Sequence, residues 1–176
     1  MTQANGLILV AAGVHNPLSA LLRDPLATLE AKRWAAEALG NLSLDPANRQ
    51  PLVAAGVHNP LSALLSDGDA TPDAKEWAIK VLFNLSAAPA NRQPLVVDGV
   101  HNPLSALLSD QLATPLAKQW AAVALCNLSA APANRQPLVA AGVPNPLSAL
   151  LRDPLATAMA REWAAEALRN LSLDPG

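Results

Sequence analysis

Three histidines and one cysteine are the residues of this 176-residue chain best suited to metal or nucleophile chemistry. His15, His58 and His101 each open the same segment, HNPLSALL, and stand 43 residues apart. Equivalent atoms in successive structural units lie about 10 Å apart, one helix-packing distance, far beyond the ~2 Å bonds of ligands that share a metal. The fourth copy of the segment carries Pro144 instead of a histidine. These residues therefore predict no metal site. Cys126 occurs once and has no repeating His, Asp or Glu partners, so it is expected to fill space. A lone cysteine also excludes an intrachain disulfide framework and a Cys-rich metal centre. No phosphate-binding loop or nucleophile motif interrupts the pattern. The expectation is a non-enzymatic protein without a cofactor.

A second set of polar and aromatic residues keeps the same 43-residue step: Trp34, Trp77, Trp120 and Trp163, and Asn41, Asn84, Asn127 and Asn170. Enzyme sites are usually written once, whereas more than half of the 43 columns here carry one residue in every copy. Four units follow without a linker, at 5–47, 48–90, 91–133 and 134–176. A gapless period of this length is a solenoid signature, and 1–176 is read as a single domain. Each Asn-Leu-Ser is formally a glycosylation sequon, but a helical site in a chain read as having no signal peptide is expected to stay unmodified.

Each unit parses into three helices. The first, as in NRQPLVAAG, is expected to start at Asn48 as N-cap and to stop at Gly56, because glycine turns left-handed without a Cβ clash. The second, NPLSALL, is expected to use Asn59 as N-cap and Pro60 as its first helical residue. The third is expected to begin after Thr28, Thr71, Thr114 or Thr157 and to run about 16 residues, to the Pro at 46, 89, 132 or 175. On a helical wheel Ala31, Ala35, Ala38, Leu39 and Leu42 share a face, the predicted buried stripe. Trp34, Glu37 and Asn41 fall together on an adjacent face.

NRQPLVAAGV, NPLSALL and AKEWA…NLS, with glycine between the first and second helices, together resemble the armadillo repeat family over essentially the whole chain. HEAT repeats have a similar period but two helices and usually lack the internal Gly break. The resemblance implies an all-α, right-handed α-solenoid of armadillo type with three helices per repeat. It also implies a concave groove, lined by the third helices, that binds an extended peptide or protein segment. The Asn near the end of the third helix would hold the peptide backbone, a role that maps onto Asn41, Asn84, Asn127 and Asn170. In the nuclear import members a Trp four residues before that Asn completes the ladder. Here those positions hold Glu37, Lys80, Val123 and Glu166, and the Trp stands seven residues before the Asn.

Both columns have a structural alternative. Each Asn could bond a neighbouring repeat and fix the stacking, and each Trp could wedge between successive third helices in a core otherwise built of Ala and Leu. Partner specificity is expected at the variable columns: Arg33, Glu76, Gln119 and Glu162; Glu37, Lys80, Val123 and Glu166; Gly40, Phe83, Cys126 and Arg169.

Net charge is −2 and the pI about 5.8, without the clustered Lys and Arg of a nucleic-acid footprint. No apolar run approaches the roughly 20 residues that span a bilayer. GLILVAAGV at 6–14 follows no Lys or Arg and aligns with QPLVAAGV at 50–57, so it is read as the first helix and not as a signal peptide. An intracellular protein, cytoplasmic or nuclear, is expected.

The alternative function is self-assembly. Leu7 and Ile8, beside Gly6, stand where the other units carry Arg-Gln-Pro, and Leu168, Leu171 and Ala164 are expected to lack a covering repeat. Apolar surface of this kind marks an association site. The result would be a homo-oligomer joined through its ends, two-fold or head to tail. Near-identical units also fit a consensus-type design, or a fragment of a longer array, with no natural ligand.

Overall fold

The computed structural model describes residues 3–173, with side chains from residue 6 onward. Among the described residues there are twelve α-helices, one short 3-10 turn at Pro89–Asn91 and no strand. The helices come in threes: α1 (Gln3–Ala11), α2 (His15–Arg23) and α3 (Leu29–Ser43); α4 (Pro46–Ala54), α5 (His58–Ser66) and α6 (Pro72–Ser86). Then follow α7 (Arg92–Val97), α8 (His101–Ser109) and α9 (Pro115–Ser129); α10 (Pro132–Ala140), α11 (Pro144–Arg152) and α12 (Ala158–Leu171). Two compact units divide the chain, Met1–Asn91 and Arg92–Gly176.

The local signals act largely as expected. Gly13, Gly56, Gly99 and Gly142 all adopt φ between 72° and 78°, ending each first helix in the left-handed region. The hydroxyls of Thr28, Thr71, Thr114 and Thr157 accept from the backbone N–H of Ala31, Ala74, Ala117 and Ala160 at 3.0–3.2 Å. Each satisfies one of the N–H groups a helix start leaves without an internal partner. Pro175, expected to end the last helix, lies outside the described residues.

Two expected caps are wrong. Asn48 does not start α4: Asp45 does, its carboxylate accepting from Ala47 N–H at 3.0 Å, with Pro46 in the first turn. Asn59 does not start α5, whose helical turn begins at His58. The left-handed Gly56 leads directly into Val57 in right-handed helical conformation, and Asn59 N–H bonds back to Gly56 C=O. The helix thus starts before the Asn-Pro pair and draws the histidines into it, where His15, His58 and His101 are all buried.

Asn48 has another task. Its amide donates to Leu42 C=O at 2.9 Å, at the end of the preceding third helix. Asn91 donates to both Leu85 C=O and Arg49 C=O at 3.0 Å, and Asn134 to Leu128 C=O and Arg92 C=O at 2.9 Å. One buried amide therefore closes a third helix and ties down the backbone of the preceding first helix. A buried carbonyl left without a donor costs about 1–3 kcal/mol, so this is a strong reason to write Asn in every copy.

Within each unit one helix triplet packs on the next. α1 meets α4, α2 meets α5 and α3 meets α6; in the second unit α7 meets α10, α8 meets α11 and α9 meets α12. The core is aliphatic: Leu39, Leu52, Leu61, Ile79, Leu82 and Leu85 in the first unit, Leu125, Leu128, Leu138 and Leu147 in the second. The stripe expected on α3 is buried at Ala35, Leu39 and Leu42 and half-buried at Ala31 and Ala38, while Ala36 is buried as well.

Candidate functional site

The third helices carry the residues singled out for recognition. On α3, Trp34 is 55% exposed, and the Arg33 guanidinium sits 3.8 Å from its ring centroid. Arg33 is itself held by Glu30 at 2.6 Å and Glu37 at 3.2 Å. The hydrogen bond from Arg33 lowers the Glu30 carboxyl below its usual range, and Glu30 in turn raises Arg33. Two carboxylates thus hold the cation over the indole. On α6 the charges are exchanged: Lys80, in the column of Glu37, lies 4.7 Å from the Trp77 ring centroid and 2.8 Å from Glu76, in the column of Arg33.

Trp77 also meets α3. A Cβ built on Gly40 would lie 2.7 Å from Trp77 Cε3 and 3.0 Å from Cζ3, so the ring occupies the space that glycine leaves open. The expected wedge between third helices exists here, but as a half-buried ring capped by a lysine. Trp120 and Trp163 are half-buried too.

The Asn column is anchored from one side. Asn84 donates to Ser43 Oγ at 2.9 Å, and Ser43 Oγ donates to Gly40 C=O at 2.7 Å. In the second unit Asn170 donates to Ser129 Oγ at 3.3 Å, and Ser129 Oγ donates to Cys126 C=O at 2.8 Å. Within each unit, the Asn of the later Asn-Leu-Ser thus bonds back to the serine of the earlier one. Asn84 is buried, Asn127 and Asn170 are half-buried, and Asn41 is exposed. An amide carries two donors and an acceptor, of which the serine takes one donor.

The variable columns separate by environment. Glu37 and Lys80 are half-buried and Glu166 is exposed, but Val123 is buried at 7% exposure. Gln119 accepts from Thr157 Oγ1 at 2.8 Å, at the start of α12, and Lys118 pairs at 3.0 Å with Asp153, which follows the end of α11. Cys126 is buried and its thiol is pushed up to about 12, chiefly by that burial. Burial thus works against the thiolate, the form that attacks electrophiles or binds metals. No group of three or more His, Cys, Asp or Glu side chains able to hold a metal occurs among the described residues.

At the extremes, Leu7 and Ile8 are 43% and 65% exposed, Leu168 and Leu171 half-buried, and Ala164 fully buried. Ala164 was expected to lack cover; it faces inward within α12. No described helix is long and apolar enough to cross a membrane.

No protein-family model and no curated protein matches the chain. Solved structures do. A crystal structure of an engineered protein is 25% identical, with a TM-score of 0.83 over 97% of this chain and 67% of the other. Another engineered protein is 22% identical, with a TM-score of 0.82 over 97% and 68%. A crystal structure of computationally designed armadillo repeat proteins for modular peptide recognition is 30% identical, with a TM-score of 0.82 over 94% of this chain and 67% of that one. With all-α architecture, three helices to each repeat and a left-handed glycine between the first two, the chain is an armadillo-type α-solenoid and belongs to the armadillo-repeat family.

Proposed function

We propose that this chain is a non-enzymatic interaction scaffold whose third-helix face binds an extended peptide or protein segment. It forms a single armadillo-repeat domain over 1–176, with four 43-residue repeats at 5–47, 48–90, 91–133 and 134–176. The observation that carries this reading is the Asn84–Ser43 bond. It holds a side-chain amide in one orientation while leaving a second N–H and the carbonyl oxygen for a peptide backbone group. Beside it, Trp77 under Lys80 and Trp34 under Arg33 offer flat apolar faces edged by charge. The likeness to proteins designed for modular peptide recognition supports the same reading.

Asn41, Asn84, Asn127 and Asn170 then act as backbone clamps. Trp34, Trp77, Trp120 and Trp163, with Glu37, Lys80, Val123 and Glu166, contact peptide side chains. Asn41 and Trp34 are the decisive test because both are exposed, so their loss leaves the core intact. A peptide selected from a random-sequence display library should lose about 0.5–1.5 kcal/mol of binding for Asn41→Ala, with a comparable loss for Trp34→Ala. Ala63→Glu, on exposed α5 surface, should leave binding unchanged. Unchanged affinity in both third-helix variants would refute the proposal.

A second reading is self-association through the ends of the chain, with Leu7, Ile8, Leu168 and Leu171 as its first candidates. The exposure of Leu7 and Ile8 favours it.

A further inference from the structure

The repeat columns show which apolar residues are short of cover, because each has equivalents elsewhere in the chain that are buried. Leu9 is 40% exposed, whereas Leu52, Leu95 and Leu138 in the same column are fully buried at 0%. Val14 and Leu18 are half-buried, whereas their counterparts Val57, Val100 and Val143, and Leu61, Leu104 and Leu147, are buried. The other end mirrors this. Val139 is 47% exposed against 5–7% for Val10, Val53 and Val96. Leu151 is 37% exposed against 3–7% for Leu22, Leu65 and Leu108. Leu171 and Leu168 are half-buried where their counterparts are buried, and Val139, Ala140, Leu171 and Leu173 border a cleft of about 510 Å³.

The two surfaces correspond to the two sides of one interface already present within each unit, where α1 packs on α4 and α2 on α5, and where α7 packs on α10 and α8 on α11. Leu9, Val14 and Leu18 stand where Leu52, Val57 and Leu61 enter that interface from the later triplet. Val139 and Leu151 stand where Val10 and Leu22 meet it from the earlier one. Two end faces that repeat the two complementary sides of one internal interface fit each other head to tail, the heterologous contact that builds open stacks.

We propose that the α10–α12 face receives α1 and α2 of a second copy of this chain, head to tail, in the register of the internal repeats. This rests on the self-association reading above and fixes its geometry. It also reassigns the contacts. Leu7 and Ile8 occupy the columns of Gln50 and Pro51, which are exposed although α4 packs on α1. In a register-continuing stack Leu9 and Val139 are buried, while the more exposed Ile8 stays in water.

The test is mass by light scattering and sedimentation over a concentration series. Wild type is expected to grow in mass with concentration. Leu9→Glu and Val139→Glu should each raise the concentration for half-association more than about tenfold, and Ile8→Glu should leave it nearly unchanged. An equimolar mixture of the Leu9→Glu and Val139→Glu chains should recover a species of two chains and no larger, since only one intact tail can meet one intact head. Leu9→Ser and Val139→Ser serve as milder variants if helical content falls. A Val139→Glu chain that still dimerises, with Leu9→Glu monomeric, overturns head-to-tail stacking in favour of a two-fold contact and leaves self-association standing. Loss of association in Ile8→Glu alone overturns the register. A wild type that stays monomeric throughout removes self-association and this geometry with it.

Discussion

Gly40→Ala should have opposite effects on stability depending on whether Trp77 is present. In a helix interior alanine is favoured over glycine by about 1 kcal/mol, so on α3 alone the substitution would stabilise. The added methyl, however, would meet Trp77 at 2.7 Å from Cε3 and 3.0 Å from Cζ3, inside contact distance. Overpacking of this kind costs typically 1–3 kcal/mol. The lower half of that range applies, because the half-buried ring can tilt towards solvent, although it then loses part of its contact with Lys80 Nζ at 4.7 Å. The net expectation is a destabilisation of about 0–1 kcal/mol in the wild-type background. With Trp77→Ala the two close contacts are gone, and Gly40→Ala should stabilise by up to about 1 kcal/mol. The coupling between the two positions is therefore about 1–2 kcal/mol, above the scatter of independent sites. Urea unfolding followed by circular dichroism on wild type, both single variants and the double variant measures it. If Gly40→Ala stabilises equally in both backgrounds, Trp77 does not rest on α3 and the wedge is wrong.

Asn134→Ala removes a buried amide from two carbonyls, Leu128 and Arg92, and should cost about 1–3 kcal/mol in urea unfolding; a smaller effect than for exposed Asn145→Ala would contradict its bridging role. His101 is buried, and that burial holds its pKa below the ordinary histidine value. The unfolded chain therefore takes up the proton first, and stability is lost as pH falls below about 6.5, at up to about 1.4 kcal/mol per pH unit for this one group, until the folded pKa is passed. His101→Gln should flatten that dependence in unfolding midpoints measured between neutral and mildly acidic pH; an unchanged slope would mean that His101 is not the group responsible.

Sequence alone determined the repeat and most of its punctuation, because those signals are local. A glycine after an apolar run and a threonine before a helix act on their own backbone, and both did what their chemistry requires at every repeat. The buried stripe of α3 was legible for a related reason: helical periodicity alone sets which residues share a face. Asn48 and Asn59 misled, since an asparagine near a helix start looks like a cap whether or not its side chain reaches the local backbone. Tertiary structure decided otherwise, sending the Asn91 amide to carbonyls six and 42 residues away. It also decided that Asn84 is tied to Ser43, that Trp77 stands over Gly40, and that Val123 is buried where Lys80 and Glu37 are half open to water. Each of these depends on which side chain a neighbouring helix brings within a few ångströms. A sequence period places equivalent residues in equivalent surroundings, but only packing reveals what those surroundings contain.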